Sequence, residues 1–357
     1  EISENYEKKL DQVFEGDLES YGGYSYDPDL TPYENLQYVV QELSEEFKTQ
    51  KELLKDNPKS DRLWLYKLNV KSLRKILNKL NKLKRDLKTK DFNNLIKEVD
   101  IETDKSLDYA SSLLYVYIYS EIIGFAKYRK YQYCVVDEGQ DFSPLEFAVM
   151  EKFILHKRFC ILGDLNQKYT EASIESWDNL DEILQVDDMK VFKLDTNYRS
   201  TKPIIEYANK ILKPFTDKYL PKSIQRKGPK PSVNKFENRN ELYENLKEDL
   251  INDSKELKKS IGIICYNDAS FETMKGIMAK LPIEEDKKII LDSDKRVEFK
   301  PHGVYLTRFE NCKGLEFAKV YIVENDPLKN NDALEARKSF VGVTRAMDDL
   351  KIYYLDK

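Results

Sequence analysis

The spacing of apolar residues changes partway along this chain, near residue 106. From Asp61 to Leu87 apolar residues recur at three- and four-residue steps, which predicts a single amphipathic helix with a basic outer face. The apolar positions of this helix are Tyr66, Val70, Leu73, Leu77, Leu80, Leu83 and Leu87. Further helices are predicted around 3–14 and from about 33 to 55, so the first 105 residues form a predicted helical region.

From residue 106 onward, short apolar runs alternate with helical patterns. A buried helix is predicted over 108–124, followed by a strand over 133–137. Five more helices and seven more strands follow as far as 350–355, and one of these strands is predicted at 190–194. Strands that alternate with helices predict an α/β fold, in which a parallel sheet is covered on both faces.

Charge changes this picture only locally. The 357 residues carry a net charge of −5, so any site for a polyanion must be a local one. The predicted helix after Asp61 lies in a strongly basic stretch, residues 59–90. Two interpretations of its basic face stay open: a solvated face of a helical hairpin, or a surface for nucleic acid or an acidic protein.

The spacing of the cysteines argues against several classes of site. The four cysteines, Cys134, Cys160, Cys265 and Cys312, are far apart and form no CxxC pair, so neither a zinc site nor a disulfide framework is indicated. The most apolar stretch, residues 113–126, is shorter than the roughly 20 residues of a membrane span. Nothing resembles a signal peptide, so we expect reduced thiols, no membrane partner and a cytoplasmic location.

The first candidate catalytic residues are acidic and directly follow an apolar strand. The segment from Val135 to Asp141 reads Val-Val-Asp-Glu-Gly-Gln-Asp. A strand that stops on Asp-Glu can present one carboxylate to Mg²⁺ beside a second one that activates water. The usual companion is a glycine-rich loop ending in Gly-Lys, yet none of the twelve glycines is followed by lysine. The sequence therefore shows a nucleotide-hydrolysis site without its phosphate cradle.

Five segments that follow one another along the chain carry a specific resemblance. They are Asp137-Glu138-Gly139-Gln140-Asp141, Gly163-Asp164-Leu165-Asn166-Gln167, Asn197-Tyr198-Arg199-Ser200, Lys313-Gly314-Leu315-Glu316-Phe317 and Val343-Thr344-Arg345-Ala346. Together and in this order they resemble the DExQD, GDxxQ, NYRS, KGLEF and TRA motifs of UvrD/Rep-like superfamily 1 helicases. The resemblance covers roughly residues 106–357.

The resemblance implies roles for particular residues, with ATP and Mg²⁺ as cofactors. Asp137 would hold Mg²⁺, and Glu138 would orient or deprotonate the attacking water. Gln167 would face the γ-phosphate and report its loss, while Arg199 and Arg345 would act as arginine fingers. In the nucleoside part of the site, Tyr198 would stack on adenine, Glu316 would reach the ribose, and the backbone at Gly314 would close near the phosphates.

The resemblance also implies an architecture of two RecA-like parallel sheets, one partial and one complete, with ATP between them. Residues 106–190 would form the partial first domain and residues 191–357 the second. Residues 1–105 would be a helical insertion. Hydrolysis would couple to movement on DNA.

The departures from the family pattern refine these expectations. Because the phosphate-binding loop is absent, we expect this chain to be the C-terminal part of a longer protein with the loop upstream, and to be inactive alone. The alternative is a degenerate relative that binds nucleic acid or polymerase without hydrolysis. Only about a hundred residues separate Asn197 from Lys313, too few for the large domain that many DNA helicases insert there. In this the chain looks more like the HelD-like branch, whose members are ATPases that release stalled RNA polymerase.

Overall fold

The fold is taken from a computed structural model. It describes residues 2–14, 26–101, 106–125, 131–168, 170–216, 218–255, 258–292 and 299–356. The chain divides into two compact units. The first comprises residues 1–136, 143–160 and 178–188, and the second comprises residues 137–142, 161–177 and 189–357.

The N-terminal part of the first unit is helical, as predicted. Its helices are α1 (Ile2–Phe14), α2 (Pro32–Asp56), α3 (Leu63–Asp86), α4 (Phe92–Glu98) and α5 (Tyr109–Ile122). A single π-helical turn, Leu87–Asp91, joins α3 to α4. The start of α2 is fixed by a capping box in which Thr31 accepts from the Glu34 backbone while the Glu34 side chain accepts from the Thr31 backbone.

Helices α2 and α3 share one apolar core. Its central side chains are almost fully buried and come from Leu36, Val39, Leu43, Leu73, Ile76 and Leu80. Their three- and four-residue spacing is the pattern that predicted α3. Burial of such side chains supplies most of the stability of a surface helix.

The first unit also holds a small α/β element. It contains β1 (Cys134–Val136), α6 (Pro144–Glu151), β2 (Phe159–Ile161, whose last residue belongs to the second unit) and α7 (Leu180–Leu184). β1 pairs with β2 in a two-stranded sheet. Both strands are shorter than the sequence pattern suggested.

The second unit is built on a parallel sheet of six strands. In chain order its elements are β3 (Thr196–Asn197), α8 (Lys202–Leu212), β4 (Lys222–Ser223), β5 (Ser232–Phe236), α9 (Arg239–Ser254), β6 (Ile261–Cys265), α10 (Asp268–Ala279), β7 (Lys288–Leu291), β8 (Val304–Arg308), β9 (Phe317–Val323), α11 (Ala333–Thr344) and β10 (Ala346–Leu355). The strand order is β5-β10-β9-β6-β8-β7, and each pairing is parallel. β3 and β4 form a separate parallel pair.

Helices cover both faces of this sheet. On one face, Ile322 of β9 packs in a cluster with residues of α8 and α11, and on the other, Tyr321 packs with residues of α9 and α10. This alternation along buried strands confirms the predicted α/β class with a parallel sheet and an N-terminal helical region.

One strand prediction was wrong. Residues 190–194 form no strand, and Phe192 and Leu194 are 83% and 93% exposed. No described strand pairs with this segment, and an apolar run without a partner for its backbone does not become a strand. Conversely, β3, β4 and β7 form where no strand was predicted.

Within the described residues, no helix has the length and apolar character needed to cross a membrane. The expected boundaries after residues 105 and 190 stay predictions.

Candidate nucleotide site

The acidic segment makes a tight turn directly after β1. Glu138 adopts a left-handed backbone conformation (φ 52°), which non-glycine residues rarely occupy. The Gly139 N–H donates to the Leu162 carbonyl at 2.7 Å. A Cβ at Gly139 would lie 2.6 Å from Ile161 Cγ2, so only glycine fits here without displacement. The turn exposes the Asp137 side chain and leaves Glu138 half-exposed.

Two side chains hold the Glu138 carboxylate. The fully buried Gln140 donates from Nε2 to Glu138 Oε2 at 2.6 Å. Lys313 Nζ lies 3.6 Å from the same oxygen and also contacts the Asp141 carboxylate. The second Asp141 oxygen, Oδ1, is buried and has no hydrogen-bond partner among the described residues. Glu138 is therefore fixed by one amide and one cation, and part of the carboxylate stays open to solvent.

The GDxxQ segment lies directly against the acidic turn. The Asp164 N–H donates to Gln140 Oε1 at 2.9 Å, and Gln167 Nε2 donates to Asp164 Oδ2 at 2.8 Å. Gly163 permits this approach, because a Cβ there would lie 2.5 Å from Gln140 Oε1 and 2.8 Å from Trp177 Cη2. Trp177 thus packs against the turn.

Burial raises the pKa of Asp164 above its ordinary value, and the nearby Glu138 carboxylate raises it further. The hydrogen bonds from Gln167 and the Asn166 backbone, together with the Arg345 charge, oppose this shift. Asp164 is thereby electrostatically coupled to both Glu138 and Arg345.

Arg345 is buried, and hydrogen bonds to three acceptors fix the orientation of its guanidinium group. Only 2% of it is exposed. Its guanidinium donates to the Val341 carbonyl at 3.1 Å, the Leu315 carbonyl at 3.3 Å and Gln167 Oε1 at 2.9 Å. Gln167 therefore bridges Asp164 and Arg345 through the two ends of its amide.

The remaining predicted residues lie in an exposed group. Arg199 pairs with Glu316 at 2.8 Å, and both side chains are about 40% exposed. Tyr198 is 72% exposed. Gly314 has φ 75° and completes a turn in which the Leu315 N–H donates to the Cys312 carbonyl at 3.1 Å.

Direct contacts join all five segments into a closed network. Gln140 connects the first segment to the second, and Gln167 connects the second to Arg345. Arg345 reaches the KGLEF segment at Leu315, and Lys313 returns from that segment to Asp141. The NYRS segment joins through Arg199–Glu316 and through Ser200 Oγ, which donates to the Ala346 carbonyl at 2.7 Å.

The structure therefore brings together Glu138 with Lys313, Gln167 with Arg345, and Arg199 with Glu316. Among the described residues, no direct contact joins Arg199 or Tyr198 to Asp137 or Glu138. Sequence reasoning gave no role to Gln140, Asp164 or Lys313, although all three lie inside the segments that it singled out.

The site offers few protein ligands for a metal ion. Among the described residues, no group of three or more His, Cys, Asp and Glu side chains is arranged to hold one. Asp137 Oδ1 accepts from the Glu138 N–H at 2.9 Å, and Oδ2 accepts from none of the described residues. An exposed carboxylate with a free oxygen fits Mg²⁺, which keeps several waters and uses one or two protein carboxylates plus phosphate.

Two family models match the chain. The UvrD/REP helicase N-terminal domain matches residues 3–182, and the UvrD-like helicase C-terminal domain matches residues 192–290.

Curated relatives match over a shorter segment. ATP-dependent DNA helicase PcrA of Bacillus subtilis (strain 168) is 36% identical over 94 residues. PcrA of Staphylococcus epidermidis is 35% identical over 95 residues. In both cases the match covers 24% of this chain and 12% of the relative.

A solved structure of the C-terminal domain of a possible DNA helicase from Lactobacillus plantarum WCFS1 is also similar. It is 21% identical, with a TM-score of 0.34, covering 44% of this chain and 88% of that one.

Proposed function

The chain belongs to the UvrD/REP helicase family, and from that premise we propose that it forms core domains of a superfamily 1 DNA helicase or translocase that hydrolyses ATP. The observation that carries the proposal is the closed network of contacts among the five motif segments. The GDxxQ and KGLEF segments contact the carboxylate turn directly, and the TRA and NYRS segments join it through them.

Glu138 is the proposed general base. Gln140 and Lys313 both approach Oε2, which leaves Oε1 to orient a water and accept its proton. Asp137 would hold Mg²⁺ from the adjacent position. Bound there, Mg²⁺ would neutralise charge that develops on the transferred phosphoryl group.

Gln167 and Arg345 form the proposed sensing pair. The Gln167 amide is held between Asp164 and the Arg345 guanidinium, so a displacement of either partner is transmitted to the other. Arg345 supplies positive charge that is already oriented by the Val341 and Leu315 carbonyls. A preorganised charge of this kind stabilises developing negative charge without reorganisation.

The exposed group suits the nucleoside. Tyr198 presents a ring on which adenine can stack. The Glu316 carboxylate, now paired with Arg199, would accept hydrogen bonds from the ribose, which would free Arg199 for the phosphates. The turn at Gly314 carries no side chain, so the phosphates would be able to approach its backbone closely.

Several finer assignments belong to this proposal. We place the protein in the cytoplasm and retain the division at residues 105 and 190. The HelD-like branch, with RNA polymerase as a partner, remains our proposal for its subgroup. The motor needs a phosphate-binding loop that these 357 residues do not contain, so we expect them to hydrolyse little or no ATP alone.

The test is ATP turnover by the complete product of the reading frame that contains this sequence. A helicase will show turnover that DNA stimulates, with a strong dependence on salt. A polymerase-release factor will co-purify with RNA polymerase and need little free DNA. Failure of the complete protein to hydrolyse ATP under any of these conditions would contradict the motor assignment.

A second candidate is a binding module that docks without hydrolysis, which the absence of a Gly-Lys pair favours. In that case, nucleic acid or polymerase binding will persist while no turnover is detected in the complete protein.

A further inference from the structure

Helix α3 carries a straight row of cations on its outer side. We call this row the basic ridge, and it consists of Lys67, Lys71, Arg74, Lys82 and Arg85. At 100° per residue, these positions fall within about 80° of one another around the helix axis, and 18 residues span about 27 Å. All five side chains are exposed.

The basic ridge has no acidic partners among the described residues. None of its five members forms an ion pair there, and Arg74 lies only over the Phe47 ring at 5.9 Å. Lysines elsewhere are commonly paired; for example, Lys275 lies 2.9 Å from Glu272, and Lys287 lies 3.0 Å from Glu284. From Leu63 to Asp91 the chain has ten lysines and arginines but only two aspartates.

Packing on the opposite side of α3 fixes the helix that carries the basic ridge. Leu73, Ile76 and Leu80 are fully buried against α2. They lie about half a turn around the helix from the basic ridge, so the apolar face and the basic face are fully separated. The cations are therefore displayed along a fixed line.

The shape and charge of the row favour one occupant, a nucleic-acid duplex. Over about 27 Å a B-form duplex presents roughly eight base pairs with a high density of phosphates, so a straight cationic row laid along it meets phosphates where the two strands cross it. A single strand needs a series of stacking aromatics, but only Trp64, which is 67% exposed, lies on this side of α3. An acidic protein would need apolar anchors at the centre of the contact, and the middle of the row has none.

We propose that the basic ridge binds the phosphate backbone of double-stranded nucleic acid, as a surface separate from the nucleotide site. Binding is independent of base sequence, because lysine and arginine contacts to phosphate carry no sequence information. The surface does not require ATP hydrolysis, so this inference and the proposed function can fail independently.

The experiment measures binding of the 357-residue chain to a fluorescent 20-base-pair duplex by anisotropy at 50–200 mM salt. The ridge variant replaces Lys67, Lys71, Lys82 and Arg85 with glutamine, which has similar helix propensity. The matched control replaces Lys235, Lys247, Lys275 and Lys287 with glutamine and changes net charge equally. Circular dichroism checks that both variants stay helical.

We expect wild-type affinity to fall roughly 10²–10³-fold between 50 and 200 mM salt, with a log–log slope that drops by about 3–4 in the ridge variant. The ridge variant should bind at least about 30-fold more weakly at 50 mM salt, and the control should stay within about threefold of wild type. Equal duplex binding by wild type and a folded ridge variant would overturn the proposal. A single strand or poly-glutamate held by the basic ridge as tightly as the duplex would overturn it too.

Discussion

At the scale of single residues, the site depends on amides that connect charged groups. Gln140 and Gln167 each use both ends of the side-chain amide. Gln140 donates to the Glu138 carboxylate and accepts from the Asp164 N–H. Gln167 donates to the Asp164 carboxylate and accepts from the Arg345 guanidinium. An amide can donate and accept at once, so neither a carboxylate nor a hydrocarbon could replace it in these positions. Glu138 and Arg345 thus owe part of their positioning to neutral side chains.

The Gln167–Arg345 contact can be measured by a double-mutant cycle. We expect Gln167→Leu and Arg345→Met to show a coupling energy of about 1.5–3 kcal/mol in urea unfolding, because a partly buried hydrogen bond to a charged group is lost in each single variant. The exposed pair Lys202–Gln225, at 2.9 Å, provides the control and should couple by less than about 0.5 kcal/mol. Additive effects at Gln167 and Arg345 would mean that the contact is not formed in solution.

Thiol reactivity offers a second test at this scale. Cys160 is exposed, Cys312 is buried, and burial raises the pKa of Cys265 to about 12. Because the thiolate is the reactive form, Cys160 should react first with Ellman's reagent at pH 8, and Cys265 and Cys312 only after unfolding in guanidinium. The Cys160→Ser variant should lack the fast phase. Fast reaction of all four thiols in the native protein would be inconsistent with the burial described.

At the scale of elements, a charged network ties α9 to the strands β9 and β10. Asp253 lies 2.7 Å from Lys319 and 3.1 Å from Lys351 and also accepts from the Tyr321 hydroxyl. Burial raises the pKa of Asp253, but the hydrogen bonds from Lys319 and Tyr321 outweigh burial, so its pKa lies below the ordinary value.

This network predicts a pH-dependent stability. Asp253→Asn should lower the free energy of unfolding by roughly 1–3 kcal/mol at pH 7, since two partly buried lysines lose a partner. A carboxylate with a depressed pKa stabilises the fold fully above its unfolded pKa of about 3.9. This contribution declines as pH falls from there through the lower pKa of the folded state, so the deficit should shrink progressively below pH 4.

Urea titrations of the Asp253→Asn variant at pH 7 and pH 3.5 measure both effects. Glu284→Gln, which removes an exposed ion pair with Lys287, is the control and should change stability by less than about 0.5 kcal/mol. A deficit at Asp253 that is the same at both pH values would contradict the ionic origin.

Elements with strong local patterns were predictable from the sequence, and those that depend on distant partners were not. Helix α3 was predicted from its apolar spacing, which burial against α2 explains. Strand β7 was missed, because its pairing with β8 depends on a segment more than ten residues away. The apolar run at 190–194 was predicted as a strand and forms none, because hydrophobic content does not supply a hydrogen-bonding neighbour.

At the scale of the whole molecule, motif order predicted more than local pattern could. The five segments gave the family and the candidate residues, since each residue type is suited to nucleotide chemistry. The sequence did not show that Lys313 would reach Asp141 or that Gln140 would hold Glu138, because contacts between distant segments are fixed by the fold. It also did not show that residues 137–142 and 161–177 group with the second compact unit.

The most direct measurement compares nucleotide binding and ATP turnover of Glu138→Gln with wild type in the complete protein, in the presence of Mg²⁺ and DNA. The account predicts that the variant binds nucleotide as well as wild type does, while its turnover falls at least about a hundredfold, the scale of a lost general base. Unchanged turnover in a variant that binds nucleotide normally would contradict the assignment of Glu138, and with it the account of this turn as the hydrolytic centre.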